Sequence, residues 1–512
     1  MSTTVEIRIL HTDINDNDTI LQKISEASLL SISDILTYRI LRKSLDARKK
    51  DAFYQLKIDV FSIGEVVNPI HNCFELSKQE YKKTCHIIGA GPAGLFAALQ
   101  CLERKIKPII LERGKDVNTR LKDISAIHKN LVINPESNYC YGEGGAGTYS
   151  DGKLYTRSSK RGNVQKVLDT FIRHGAPERI GYEAHPHIGT NKLPKIIENI
   201  RNYIVEMGGE IHFDKKLVDF NIRDNKIVSL ICEDNDVLKC ESLILATGHS
   251  ARDIFYMLQN KNILIEAKPF AIGVRVEHHQ SLIDSIQYKN TERPKTLPPA
   301  SYSLVTQACG KGVFSFCMCP GGVIAPAGTA HDEIVVNGWS SSARNGPYSN
   351  SGMVVEVSEK DWQQFKLKGA LAGLSLQQEI EQKAFQKTGS IVAPAQRMED
   401  FLQRKLSTNL PRTSYQPGLK SENLDSLLPE FITQSLREAL KIFGTKMYGY
   451  RTNEAILVGV ESRTSSPIRI PRDKEGLFHP QIINLFPCGE GAGYAGGIVS
   501  AAIDGMSCAM KV

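Results

Sequence analysis

The sequence predicts a mixed α/β chain whose central unit alternates strand, glycine turn and helix, and three stretches carry that prediction. The apolar run Cys85-His86-Ile87-Ile88 stops at Gly89-Ala90-Gly91-Pro92-Ala93-Gly94 and continues into the helix-like Leu95-Phe96-Ala97-Ala98-Leu99; a second apolar run, Pro108-Ile109-Ile110-Leu111, then ends at Glu112-Arg113. Far down the chain, Ile482-Ile483-Asn484-Leu485-Phe486 leads into Pro487-Cys488-Gly489-Glu490-Gly491 and, past Gly496-Gly497-Ile498, into a run of small residues. Between them, Leu243-Ile244-Leu245 is a short apolar strand closed by Ala246-Thr247-Gly248. Strands that alternate with helices in this way pair in parallel and form layered α/β architectures.

Residues 1–80 read as a small N-terminal α+β domain. Val5-Glu6-Ile7-Arg8-Ile9-Leu10 alternates like a strand, 18–30 carries helical spacing through Ile20, Leu21, Ile24 and Ala27, and 53–60 alternates again. Between them Arg39, Arg42, Lys43, Arg48, Lys49 and Lys50 cluster. A basic cluster fits an RNA or phosphate patch, but Asp46 and Asp51 interrupt it, and a solvated helix face is the preferred reading.

Residues 84–267 form the first part of a nucleotide-binding domain. Gly89, Gly91 and Gly94 make the Gly-x-Gly-x-x-Gly fingerprint in its confirming context of strand, turn, helix, strand and acid. Gly89 allows the tight turn, Gly91 lets backbone approach a pyrophosphate, and Gly94 lets helix and strand pack closely. The unpaired N–H groups of the first helical turn, around Pro92 and Ala93, sit at the positive end of the dipole and suit a diphosphate. Glu112 can accept from ribose hydroxyls, with Arg113 beside it. A helix is expected over 193–207, then strands over 210–213, 218–222 and 227–231 with a turn at Asp224-Asn225. Residues 268–440 depart from this pattern, with a strand over 271–277 and helices over 359–367 and 427–443, and read as an inserted α+β substrate domain. Residues 441–512 return to the nucleotide domain. No second Gly-x-Gly-x-x-Gly follows a strand, so a dedicated NAD(P)H domain is not expected.

The late Gly489-Glu490 pair resembles the layout of two-part FAD folds. There the acid of a late strand binds the ribityl or pyrophosphate region, and the following helix, here beginning near Gly497-Ile498, points at the flavin. Strand ends such as Thr247-Gly248 lie beside the cofactor in the same folds, and the segment near Val218 supplies backbone contacts to the adenine. Longer motifs narrow the resemblance. They are Tyr141-Gly142-Glu143-Gly144-Gly145-Ala146-Gly147-Thr148-Tyr149-Ser150-Asp151-Gly152-Lys153-Leu154, Gly248-His249-Ser250-Ala251-Arg252-Asp253, Phe314-Ser315-Phe316-Cys317-Met318-Cys319-Pro320-Gly321-Gly322 and Gly459-Val460-Glu461-Ser462-Arg463-Thr464-Ser465-Ser466-Pro467. On these the chain resembles, over nearly its whole length, the bacterial and plastid family of FAD-dependent dehydrogenases of uncharacterised substrate. The resemblance implies a Rossmann-like FAD domain of the glutathione-reductase-like class, FAD as cofactor, and Gly145, Thr148, Ser150 and Gly152 as further cofactor contacts. Glu490 stands where many relatives of the wider superfamily have Asp.

Size and composition set the frame. At 512 residues the chain exceeds one core. A net charge of +7 is modest for this length and does not by itself argue for nucleic acid. Eleven cysteines without Cys-x-x-Cys spacing read as free thiols in a reducing compartment. The N-terminus has no basic or apolar leader and no apolar stretch spans a bilayer, so a cytoplasmic protein is expected.

For chemistry, Arg463 with Ser465 suits an anionic substrate or the flavin pyrimidine, or else a surface turn. His249 either contacts the cofactor or caps the next helix. Cys317-Met318-Cys319 suggests a redox relay, but closely spaced cysteines form a strained disulfide at best and free cysteines usually pack as small hydrophobes, so packing is the preferred reading. No metal site is expected. The expected function is hydride transfer between an organic small molecule and flavin, with NAD(P)H or another donor using no dedicated domain. A flavin-bearing RNA-binding or RNA-modifying protein and a flavin-stabilised scaffold without turnover are the alternatives.

Overall fold

The computed structural model describes residues 3–49, 51–67, 73–156 and 162–512. Its N-terminal unit is an antiparallel sheet of Thr3–Leu10, Ile35–Asp46 and Phe53–Ser62, the last in the middle. Alternation puts Val5, Ile7 and Ile9 beside Leu56, Ile58 and Val60, and the helix Asn17–Ser28 adds Ile20 and Ile24 to that core. The Asp16 carboxylate caps the helix by accepting from Asp18 N. Arg39, Arg42 and Lys43 of the basic cluster lie not on a helix face but on the strand Ile35–Asp46, where Ile35, Thr37, Tyr38 and Ile40 favour extended backbone, and Arg48 and Lys49 follow it in a bend. Three of the cluster's charges are engaged locally: Arg39 lies over Phe61, Lys43 over the Tyr54 ring at 4.6 Å, and Arg48 pairs with Asp46 at 2.7 Å. Lys50 falls outside the described residues.

The next layer is a five-stranded parallel sheet. Its order across the sheet is Leu485–Pro487, Leu243–Leu245, Lys83–Ile88, Ile106–Leu111 and Glu210–His212. Register aligns Pro487 with Leu245, Leu245 with Ile88, and Ile88 with Leu111. Four strands therefore end in one row, and Gly89, Glu112, Ala246 and Cys488 begin four loops on the same edge, where ligands of open α/β sheets bind. The helices Pro92–Glu103 and Ile498–Ala509 pack together on this sheet, closely enough that a Cβ on Gly505 would meet Ala93 O at 2.0 Å. A separate hairpin joins Leu217–Arg223 to Lys226–Cys232 through Asp224 and Asn225. Both turn residues are left-handed, at φ +53° and +57°, as a two-residue turn matching strand twist requires.

The second large unit is a seven-stranded sheet. Phe270–His279 lies at its centre between Tyr348–Val357 and Ile456–Glu461; Lys311–Cys319 and Ala393–Arg397 flank these. The helices Ala372–Thr388 and Glu430–Lys446 cover it and bury Leu376, Ile380, Leu436 and Phe443. Because Ile456–Glu461 belongs to this sheet, the chain returns to the parallel sheet after residue 461 rather than at 441. The two crossing segments pair with each other, Glu266 opposite Arg469 and Ala267 opposite Ile468. Among the described residues no helix is long and apolar enough to cross a membrane.

Candidate active site

The row of strand ends opens on a cavity of about 370 Å³ that runs from the glycine loops to the second sheet. At one end two glycine turns face each other. Gly91 precedes the helix Pro92–Glu103 with no side-chain cap, and a Cβ added there would meet nothing nearer than Gly145 Cα at 3.9 Å. Gly145, at φ +59°, holds the opposite turn. The helix Ile498–Ala509 also begins uncapped, at Gly497 with φ +142° and open space around it. Two helix N-termini with free amides therefore border one cradle that any side chain on Gly91 would enter, a fit for a pyrophosphate.

Glu112 sits under this cradle as a clamp. Its carboxylate accepts from Ala90 N at 2.8 Å, Gly114 N at 2.9 Å and Gly142 N at 3.0 Å, so it ties the fingerprint loop, its own turn and the second glycine loop together. It also lines the cavity, where its remaining lone pairs are available to a ribose. Beside it Arg113 stacks over Tyr141 at 4.3 Å and pairs with Glu136 and Asp253.

The far end is chemically richer. His249 lines the cavity, and Ser250 Oγ lies 3.3 Å from its Nδ1. Burial, with the guanidiniums of Arg463 and Arg252 acting in the same sense, pulls its imidazole down to about 4, so it is neutral at pH 7. Glu490 faces the same space, and burial pushes its carboxyl up to about 7 against the attraction of Lys268. Arg463 also lines the cavity, but its guanidinium is held from behind: Nε and Nη2 donate to Glu381 at 3.1 and 2.8 Å, Nη1 donates to Thr329 at 2.8 Å, and Glu333 accepts from Nη2. Arg252 donates to the same two carboxylates. Burial raises Glu381, but Arg252 and Arg463 outweigh it and hold its carboxyl well below the usual range; burial holds Glu333 up at about 7.

The cavity wall thus gathers Gly89, Gly91, Pro92, Ala93 and Glu112, then Arg113, Gly145, Ser150 and Gly152. It adds Thr247, Gly248, His249 and Arg463, and from the late loop Glu490, Gly497 and Ile498. Five expected contacts stand off it. Gly94 is a packing residue, where a Cβ would reach 1.9 Å from Gly89 O. Gly489 donates its N–H to Asp504 at 2.7 Å. The Thr148 hydroxyl is buried against Glu143 O at 2.7 Å. Val218 sits at a β-bulge and turns its side chain outward, 39% exposed, while its neighbour Leu217 lines the cavity. Ser465 lies off the wall, whereas Thr464 is on it. Sequence reasoning left out Lys153 and Asn337, which line the cavity, and preferred packing for Cys317, which lines it too. Lys153 follows the singled-out Asp151-Gly152 directly, a signal within reach; Asn337 offered none.

Cys488, Asp504 and Cys508 bring their ligand atoms within 4.8 Å of one another. A guanidinium already fills that place: Arg472 donates to Asp504 at 2.6 and 3.0 Å and to Cys508 Sγ at 3.3 Å.

Residues 269–464 match the family described as FAD-dependent protein, C-terminal domain-like, and residues 1–61 match a domain of unknown function. An uncharacterized protein of Clostridium beijerinckii is 39% identical over 529 residues, covering 99% of this chain and 98% of that protein. Solved structures are far more distant. FqzB is 12% identical over 81% of this chain and 71% of its own, with a TM-score of 0.33. CtdE, solved with FAD and a substrate, is 10% identical over 83% and 79%, also at 0.33. A geranylgeranyl bacteriochlorophyll reductase-like protein of Thermoplasma acidophilum is 11% identical over 84% and 77%, at 0.34. These three are too remote to bear on fold or activity. The fold and site define a flavoprotein, with FAD as its cofactor. The chain belongs to the same family as the Clostridium beijerinckii protein, a family of FAD-dependent proteins.

Proposed function

We propose that this chain is a flavoprotein of the glutathione-reductase-like class that transfers a hydride between a small organic substrate and FAD within the cavity. The observation that supports it most is the continuity of that cavity, from the paired helix N-termini beside Gly91 and Gly497 to the second sheet at Arg463. FAD, when bound, supplies the two-electron chemistry. The chain's own residues do the rest. The free amides at Ala93 and Ile498 hold the diphosphate, and Glu112 fixes the loops that carry it. Glu490, with a carboxyl titrating at about 7, holds or releases a proton at the substrate end. His249 is neutral there and serves as hydrogen-bond partner rather than acid. Arg463 contributes fixed positive charge, its orientation set by Glu381 and Glu333. The electron donor, NAD(P)H or another, enters the same opening, since no separate domain is assigned to it.

Anaerobic mixing of the yellow holoprotein with NADH, NADPH and panels of alcohols, amines and acids tests this reading, with flavin absorbance as readout. Bleaching by a member of one panel, slowed in Glu490→Gln at unchanged flavin content, is the expected result. Flavin that dithionite reduces but every panel member leaves oxidised would replace this reading with that of a scaffold.

A further inference from the structure

Two thiols lie where the second sheet closes the cavity. The strand Lys311–Cys319 pairs with Tyr348–Val357 in register as far as Phe316 opposite Gly352 and resumes at Cys319 opposite Asn350. Cys317 and Met318 therefore stand against the single residue Ser351. Cys317 absorbs the extra residue at φ +47°, a conformation that non-glycine residues hold only where their surroundings impose it. Such a bulge re-aims a side chain. Cys317 lines the cavity, while Cys319 is fully buried behind it.

Both sulfurs face one ammonium. Lys153 Nζ lies 3.7 Å from Cys317 Sγ and 3.8 Å from Cys319 Sγ, and donates to Met318 O. Arg275, wholly buried, places Nη2 3.7 Å from Cys319 Sγ and 2.7 Å from Cys317 O. The acids nearby are spoken for: Glu461 pairs with Arg275 at 2.8 Å, and Asp151 pairs with Arg344 at 2.5 Å and lies 3.5 Å from Lys153. Asp151 is the acid that opposes negative charge on Cys317, and Glu461 and Glu490 are raised by that same charge. A bond from Cys319, then Lys153 and Arg275, hold the Cys317 thiol well below the ordinary value despite burial. That same bond and burial push Cys319 well above it.

We propose that Cys317 and Cys319 form a dithiol–disulfide couple opening on the cavity, with Cys317 as attacking thiolate, Cys319 as resolving thiol, Lys153 as counter-ion and a small organic disulfide as substrate. A partly open cavity of about 370 Å³ presents Cys317 to a small disulfide rather than to a protein segment. Cys317 Sγ attacks one sulfur of R–S–S–R, forming a mixed disulfide and releasing RS⁻, which takes from solvent the proton Cys317 had given up. Cys319 then loses its proton to the second leaving group as its sulfur attacks Cys317, closing the internal disulfide. One disulfide becomes two thiols, and the cysteine pair gives up two electrons. This does not require hydride transfer, and its readout is on sulfur, so it stands or falls separately from the proposed function.

The test uses the FAD-loaded full chain and glutathione disulfide. Alkylation by iodoacetamide, followed at Cys317 by peptide mass spectrometry, is expected to fall off only at a lower pH than in a free-cysteine peptide, which slows about tenfold per pH unit below its ordinary thiol value. Lys153→Met should move the Cys317 profile up by about a pH unit or more, as loss of an adjacent cation requires. Glutathione disulfide should convert wild type to an internally bridged peptide lacking two hydrogens, and Cys319→Ala should stop at a glutathione adduct on Cys317. A wild-type profile coinciding with the peptide's, or wild-type Cys317 untouched by glutathione disulfide, overturns the proposal even if neither variant folds.

Discussion

Gly91 and Gly94 stand three residues apart in one fingerprint, and the structure gives them opposite roles that substitution can separate. At Gly91 φ is −75°, which any residue adopts, and an added Cβ meets nothing nearer than 3.9 Å. Gly91→Val should therefore cost the apoprotein less than about 1 kcal/mol, as an unstrained substitution beside open space does. Its branched side chain fills the cradle instead, so FAD affinity should fall by more than about 100-fold, the equivalent of about 3 kcal/mol. At Gly94 a Cβ would stand 1.9 Å from Gly89 O and 3.3 Å from Ile87 Cγ2. Helix and strand must then part by more than about an ångström, an overpacking cost of about 1–3 kcal/mol. Gly94→Ala should accordingly lower the apoprotein Tm by several degrees, at about 2–4 °C per kcal/mol for a unit of this size. Thermal melting of the two apoproteins, followed by titration with FAD monitored by flavin fluorescence, measures both. A Gly91→Val protein that binds FAD like wild type refutes the assignment of that cradle to the cofactor. A Gly94→Ala protein that melts like wild type refutes the packing argument.

Glu112→Ala should destabilise the apoprotein by about 1–3 kcal/mol, because it strands three buried N–H donors; Glu112→Gln should keep part of that stability, and urea unfolding distinguishes them. Arg463→Ala leaves Glu381 and Glu333 with Arg252 alone, so a loss of about 3–5 kcal/mol is expected, seen as a lower unfolding midpoint, and Glu381→Gln should partly offset it in the double variant. Glu490 is raised from 4.5 to about 7, so the folded apoprotein holds its proton longer than the unfolded chain, and the stability it contributes below pH 4.5 is lost as pH rises through 7. Glu490→Gln should therefore match wild type near pH 4.5 and exceed it by up to about 3 kcal/mol at pH 8; identical pH profiles in urea titrations would contradict the raised carboxyl.

What the sequence showed was local, and what it hid was distant. The fingerprint from Gly89 to Glu112 is read directly because strand, turn and helix lie within one stretch and each residue type has one job there. The pairing of Arg463 was hidden because its partners, Glu333 and Glu381, sit far up the chain and are brought in only by folding. Glu112 looked like a ribose ligand alone, since nothing in the sequence announces that Gly142 reaches back to it. The helical pattern over 427–443 reads the same in either domain, so it could not reveal that Ile456–Glu461 still belongs to the second sheet. Cys317-Met318-Cys319 shows no bulge in its spacing; the φ of +47° that turns Cys317 to the cavity comes from its pairing partner, not from its neighbours.

The two helices that open on the cradle come from opposite stretches of the chain, Pro92–Glu103 and Ile498–Ala509, and the outermost parallel strand, Leu485–Pro487, is also drawn from the late stretch. On a ribosome, the sheet carrying Phe270–His279 and Ile456–Glu461 emerges in full before that strand and helix do. The second domain is thus free to complete its core while the nucleotide domain waits with an uncovered sheet edge, exposing Leu243, Ile244 and Leu245 to solvent and to other nascent chains. Cofactor capture becomes a final step of biosynthesis. FAD then acts on assembly as much as on chemistry, drawing the late helix onto the early one by mass action.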